Sequence, residues 1–399
     1  MDIEGSDEEL QAAISASLLD EVKESKQKED ESPESVIQYF ISDNLQKSNC
    51  CEYEKISIVV NRNDIFKSTI RSISRKKFSF QKPLTVTFSG EEAVDTGGPK
   101  REFFRLLMRE VSALKIFKDG WFIHDLLSLS NNDFYLAGQL IAWSILQGGG
   151  GPNCLSMEIY KFVSGEKTNK LHEKIRDEGL KEILSALDKL EDEEGFKAFL
   201  DKHADHICDY GYINIYLAKL GDKCDIYYSL LNQFYKYSVL GEMQQFQNGL
   251  SFIGKFDCIW SNKKLFEMVL SNKKKDLTWQ TFKSLFTSIT YSDKGSNKRT
   301  GEDETIYSWE LFLQDVNDQE AEFKFEEMLV FITGASSIPP LGFAEQPTIN
   351  FYTIENNIRR LPWSSTCSNT LYLPRNANPE MIKEMMTQSV LEGQGFGKI

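Results

Sequence analysis

A change of pattern near Tyr291 constrains this chain more than any other feature. Before it, long segments with helical spacing of apolar residues dominate: KREFFRLLMREVSALK, DFYLAGQLIAWSIL, GLKEILSALDKLEDEEGFKAFLDKHA and LTWQTFKSLF. After it the elements are shorter and mixed. IYSWELFLQDVNDQEAEFKFEEMLVFITG reads as largely helical, SSIPPLGF as a loop and TINFYTI as a strand. NPEMIKEMMTQSVLEG reads as a final helix that Asn378 caps ahead of Pro379. The expectation is an α+β chain of two lobes, a larger and mainly helical one followed by a smaller mixed α/β one. KGSNKRTGEDE, residues 294–304, is polar and reads as a hinge or loop between them.

The N-terminal lobe opens with a β-rich stretch, KFSFQKPLTVTFSGEE, in which Leu84, Val86 and Phe88 alternate as a strand requires. The turn DTGGP then leads into a helix with Pro99 near its start. Ahead of both lobes, residues 5–21 read as a short amphipathic helix. Leu10, Ala13, Ile14, Ser17 and Leu18 share one face, and acidic residues in its first turn suit the helix dipole. Residues 22–36, rich in charge and without large apolar side chains, read as a disordered, flexible linker, with structured sequence starting near residue 36.

At 399 residues with 41% hydrophobic content, the chain can bury a sizeable core. A net charge of -14 argues against nucleic-acid binding, which needs a basic footprint. No apolar run reaches the roughly 18 residues that suggest a membrane span, so no membrane partner is expected. The acidic start, MDIEGSDEEL, is unlike a signal peptide, and seven cysteines, an odd number, are unlike a disulfide scaffold. The expected setting is reducing: cytoplasm, nucleus or both.

Most candidates for chemistry have a plain structural reading. GGGGP, residues 148–152, lacks the Lys-Ser/Thr of a phosphate loop and reads as a flexible connection between helices. His203, His206 and Cys208, with Cys224 as a fourth donor, lack any CxxC companion and read as a solvated helix end. Cys50 and Cys51 read as inert. No metal and no cofactor is expected. LPWSSTCSNTLYLP, residues 361–374, is different. Cys367 stands among Ser364, Ser365, Thr366 and Ser368, with Asn369 able to orient a group or stabilise an oxyanion. Taken alone, it fits either a buried filler cysteine or a nucleophile. The histidines 124, 172, 203 and 206 all lie far upstream, so a Cys–His pair would need long-range folding.

The order of motifs then narrows the choice. VDTGGPKREFF, VFITGASSIPPLGF, LPWSSTCSNTLYLP and the terminal GQGFG, in that order over residues 55–399, resemble the HECT-type ubiquitin ligases, and most of all their divergent G2/M phase-specific group. Ser365 and Ser368 depart from the family, which commonly has His two before the cysteine and an aromatic just after it. The resemblance implies a HECT N-lobe over 55–290, a C-lobe over 305–399 and a hinge near 285–305. It implies that Cys367 accepts ubiquitin from a conjugating enzyme as a thioester and passes it to a substrate lysine. Thr366 and Asn369 would shape the site, and Phe396 would help position the lobes. EELQAAISASLLDE resembles a ubiquitin-interacting motif, which implies ubiquitin contacts through Leu10, Ala13, Ile14 and Ser17. The implied partners are ubiquitin, a conjugating enzyme and a protein substrate. Two other readings stay open: a ubiquitin-binding adaptor that has lost turnover, and a Cys–His hydrolase.

Overall fold

A computed structural model describes residues 32–46, 55–91, 97–166, 171–273, 276–354 and 360–393. The expected motif helix with Leu10, Ala13, Ile14 and Ser17, residues 22–31 of the expected linker, Cys50, Cys51 and Phe396 lie outside the described residues. The chain divides into two compact units. One takes described residues from 1–111, 143–152 and 274–399, the other those from 112–142 and 153–273. The division thus groups the cysteine-bearing C-terminal part with earlier sequence and does not fall at residues 285–305.

The first unit begins with α1 (Pro33–Asn44), whose Ser32 side chain accepts from Ser35 N. Residues 33–36, expected in the linker, are therefore helical, because Ser32 and Pro33 supply a cap and a first helical residue. Next come β1 (Ile56–Val60), α2 (Ile65–Ile73) and β2 (Leu84–Phe88). The strands pair in parallel, Ile56 opposite Leu84 through to Val60 opposite Phe88, with α2 in the crossover. Side chains of Ser72 and Arg75 bond the carbonyls of Val59 and Ser57. The strand at Leu84 was legible in sequence; its partner β1 was not. α3 (Gly98–Ser112) follows, and its Phe103 and Phe104 meet Trp143 edge-on.

The second unit contains the small antiparallel pair β3 (Phe117–Lys118) and β4 (Trp121–Phe122), then α4 (Leu126–Ser130) and α5 (Asp133–Leu146), whose last turn belongs to the first unit. α6 (Met157–Val163), α7 (Glu178–Asp188), α8 (Glu193–Asp209), α9 (Lys223–Tyr235), α10 (Leu240–Leu250) and α11 (Lys263–Val269) complete it. The long charged segment expected to be helical is split into α7 and α8. Asp192 starts the second by accepting a bond from Gly195 N at 2.7 Å.

Back in the first unit lie α12 (Trp279–Leu285), β5 (Ser288–Ile289), α13 (Asn297–Asn317), α14 (Phe325–Thr333), β6 (Thr348–Tyr352), β7 (Trp363–Ser365), β8 (Thr370–Pro374) and α15 (Pro379–Glu392). The sheet order is β5-β6-β8-β7, parallel except for β7 against β8. Phe312, Leu313, Leu371, Leu373, Ile382 and Met386 are buried in one apolar core. Asn378 caps α15 as expected, accepting from Met381 N.

The polar stretch at 294–304 corrects the sequence reading. From Asn297 onward it is helix, capped by Ser296. Glu302 is fully buried, yet its carboxylate accepts from Ser292 N at 2.7 Å, Ser292 Oγ at 2.6 Å and Arg375 Nε at 2.8 Å. Gly301 sits where a Cβ would collide with the Asn376 side chain. A polar sequence is thus drawn into the interior by partners supplied from distant parts of the chain.

Candidate active site around Cys367

β7 and β8 form a hairpin whose last pair is Ser365 with Thr370, so Thr366, Cys367, Ser368 and Asn369 make its tip. Asn369 closes the tip with φ of 51°, a left-handed conformation that asparagine tolerates better than most residues. It is fully buried, and its Nδ2 donates to Glu345 O at 2.6 Å. Its backbone carbonyl accepts from Thr348 N at 3.0 Å, tying the tip to β6. Below the tip, Trp363 stacks on Tyr372 with ring centres 4.8 Å apart, and the Arg360 guanidinium covers Trp363 at 3.6 Å. Packing and hydrogen bonds therefore fix the strands that carry the cysteine.

Within the tip, Cys367 is partly exposed and free of any disulfide. The two serines that depart from the family pattern are bonded to each other, Ser368 Oγ to Ser365 Oγ at 2.9 Å, and Ser368 also meets Thr370 Oγ1 at 2.9 Å. Thr366 is buried, and its hydroxyl has no hydrogen-bond partner among the described residues. Elsewhere in the chain, desolvation pushes the Cys154 thiol up to about 12, which suppresses its thiolate.

One face of the tip rests on the start of α3, a contact no sequence motif announced. Arg101 donates from Nη2 to Asn369 Oδ1 at 2.8 Å and to Thr366 O, and from Nε to Thr333 O at 2.9 Å. A Cβ on Gly98 would lie 2.5 Å from Thr366 Oγ1 and 3.2 Å from Cys367 N, so only glycine permits this approach. The Gly-Gly of DTGGP is the signal the sequence carries for this contact, and by composition alone it reads as a turn. Arg105 extends the contact by donating to Gly334 O at 3.2 Å. Its neighbour Glu102 pairs with both Arg105 and Arg62, and Arg62 also holds Glu91. Burial opposes the Arg62 charge, but the bonds from Glu91 and Glu102 outweigh it and raise its pKa.

All four histidines belong to the second unit, where His124 Nδ1 meets Glu242 at 2.8 Å and His172 Nδ1 meets Tyr227 OH at 2.7 Å. His203 is buried and held below its usual pKa by desolvation, whereas His206 is exposed. Among the described residues no group of three or more His, Cys, Asp or Glu is arranged to hold a metal. The loop expected at GGGGP is present, and it is tied down: Ser144 Oγ bonds Gly150 O at 2.7 Å.

Residues 99–399 match the family model described as HECT-domain (ubiquitin-transferase), and the chain belongs to that family. Among curated proteins it is 24% identical over 331 residues to the human G2/M phase-specific E3 ubiquitin-protein ligase, covering 79% of this chain and 44% of the relative. The chicken (Gallus gallus) protein of the same name is 25% identical over 84% of this chain and 45% of its own. The human probable E3 ubiquitin-protein ligase HERC3 is 26% identical, over 84% of this chain and 33% of its own. The chain thus spans less than half the length of these relatives.

Proposed function

We propose that this chain is a HECT-type E3 ubiquitin-protein ligase with Cys367 as the ubiquitin carrier. The observation that carries the reading is the partly exposed Cys367 at the tip of a braced hairpin, in a chain of this family. The Cys367 thiolate attacks the thioester carbonyl of a ubiquitin-charged conjugating enzyme. A new C–S bond forms, and the enzyme's cysteine leaves as thiolate. A substrate lysine amine then attacks the Cys367 thioester, a C–N bond forms, the C–S bond breaks, and the amine's proton is released as the thiol is regained. Exchange between thioesters is nearly isoenergetic, and amide formation draws the second step forward. No cofactor or metal enters either step.

Asn369 holds the tip in shape, and Thr366 presents a buried, unpartnered hydroxyl beside the cysteine. The conjugating enzyme docks on the second unit at the 3-10 helix Ile213–Leu217, where Ile213, Tyr216 and Leu217 are exposed. Leu217, at 83%, is the most exposed large apolar side chain among the described residues. Leu10, Ala13, Ile14 and Ser17 bind ubiquitin, and Phe396 assists delivery to lysine. A carrier thiol needs a reducing compartment, so the proposed setting is cytosol or nucleus.

Incubation with activating enzyme, a panel of conjugating enzymes and ubiquitin, followed by a non-reducing gel, tests the reading. The expected result is a thiol-sensitive ubiquitin adduct that disappears in Cys367→Ala. An adduct that survives that substitution, or none with any conjugating enzyme, overturns it; the latter result favours a non-catalytic adaptor. Removal of residues 1–20 should leave the adduct intact and weaken ubiquitin binding.

A further inference from the structure

The contact between α3 and the hairpin tip is unusual in how it holds the loop. The Arg101 guanidinium reaches both sides of the cysteine, bonding Thr366 O just before it and Asn369 Oδ1 two residues after it. Its third bond, to Thr333 O, anchors the same side chain at the end of α14. A planar fork with several donors can bridge acceptors in this way, whereas the single ammonium of lysine cannot hold the same geometry. Gly98 completes the seat, letting the backbone of α3 lie against Thr366 and the Cys367 amide. With the tip held from this side, Cys367 is only partly exposed.

We propose that Arg101 is a positioning residue that latches the Cys367 loop in the arrangement used to deliver ubiquitin to lysine. The inference rests on the carrier role proposed for Cys367. Accepting ubiquitin requires a second protein's thioester to approach the sulfur, which a released loop allows more freely. Delivery requires a bound thioester held still while an amine attacks, and fixed geometry is what accelerates such a step. Arg101 acts through Thr366 and Asn369, which flank the cysteine.

The two half-reactions separate this role from a structural one. Full-length wild type, Arg101→Ala, Arg101→Lys and Asn369→Ala are charged in a single turnover, the supply of charged conjugating enzyme is quenched, and free lysine is added. The expected result for both Arg101 variants is loading within about twofold of wild type and discharge slowed by roughly tenfold or more. Combining Arg101→Ala with Asn369→Ala should slow discharge less than the product of the single effects, because the two groups share one contact. Iodoacetamide should alkylate Cys367 faster in Arg101→Ala, with Cys367→Ala giving the background from other cysteines. Arg101→Lys, which keeps charge and stem, controls for folding through its melting temperature. Equal slowing of both steps, or unchanged discharge and alkylation, overturns the latch. Failure of wild type to load overturns the carrier reading instead, and the latch with it.

Discussion

Arg375 Nε donates to Glu302 Oε1 at 2.8 Å, and the carboxylate it serves is wholly buried. This pair fixes α13 to the end of β8, beside a stretch whose composition alone suggests a loop.

Breaking the pair should be costly. Glu302→Ala leaves Arg375, which is 17% exposed, without its partner, and removal of one member of a buried ion pair costs about 3–5 kcal/mol. The chain should show a correspondingly lower midpoint in chemical denaturation. Acid should act through the same group. Burial pushes the Glu302 carboxyl up, but bonds from Ser292 and Arg375 more than offset this and hold it below its usual value. A depressed carboxyl contributes stability above its unfolded pKa, roughly 4.3, and loses it as pH falls through the lower folded value. Glu302→Gln should therefore flatten the fall in stability below about pH 4.3, measured by denaturation across pH.

Asn369 serves the tip in two separable ways. Asn369→Ala removes its side-chain bonds and keeps a β-carbon in a left-handed conformation, without the amide that helps asparagine tolerate it. Asn369→Gly removes the same bonds and the β-carbon with them. Glycine should be the more stable variant by about 1 kcal/mol, and denaturation midpoints will rank the pair. The reverse order would mean that backbone conformation does not govern the tip.

At Gly98, helix propensity and packing oppose each other. Alanine's advantage over glycine, ~1 kcal/mol in a helix interior, is smaller at this first helical position, and its Cβ would press on Thr366 Oγ1 and the Cys367 amide. Overpacking commonly costs about 1–3 kcal/mol, so Gly98→Ala should destabilise slightly and displace the cysteine tip. Increased alkylation of Cys367 would register the displacement.

Leu217 offers the opposite case, since it supports nothing in the core. Leu217→Asp should alter stability by no more than about 0.5 kcal/mol while reducing loading of Cys367 by the conjugating enzyme. Loss of folding would show that the side chain is structural; unchanged loading would remove it from the proposed docking surface.

What could be read in sequence was local. The spacing of DFYLAGQLIAWSIL matches α5 throughout, and Asn378 with Pro379 marks the start of α15. In LPWSSTCSNTLYLP the apolar run just after the cysteine reads as a strand and is β8, whereas nothing in the segment before it announces β7. Contacts between distant segments were not legible. Nothing near Ile56 announces its parallel partner at Leu84, and nothing near Glu302 announces Arg375. In KREFFRLLMREVSALK nothing sets Arg101 apart from the other charged residues of the helix. Periodicity reports which face of an element is apolar, but not which remote acceptor a particular polar side chain will find.

The acceptors that Arg101 bonds at Thr333, Thr366 and Asn369 lie 232, 265 and 268 residues further along the chain. Synthesis runs from the N-terminus, so α3 emerges long before the hairpin it will seat. A nascent chain halted before Asn369 has no such seat for the thiol, whatever else of it has folded. Timing is thereby written into the architecture: the cysteine acquires its setting only once the hairpin has followed α3 out of the ribosome.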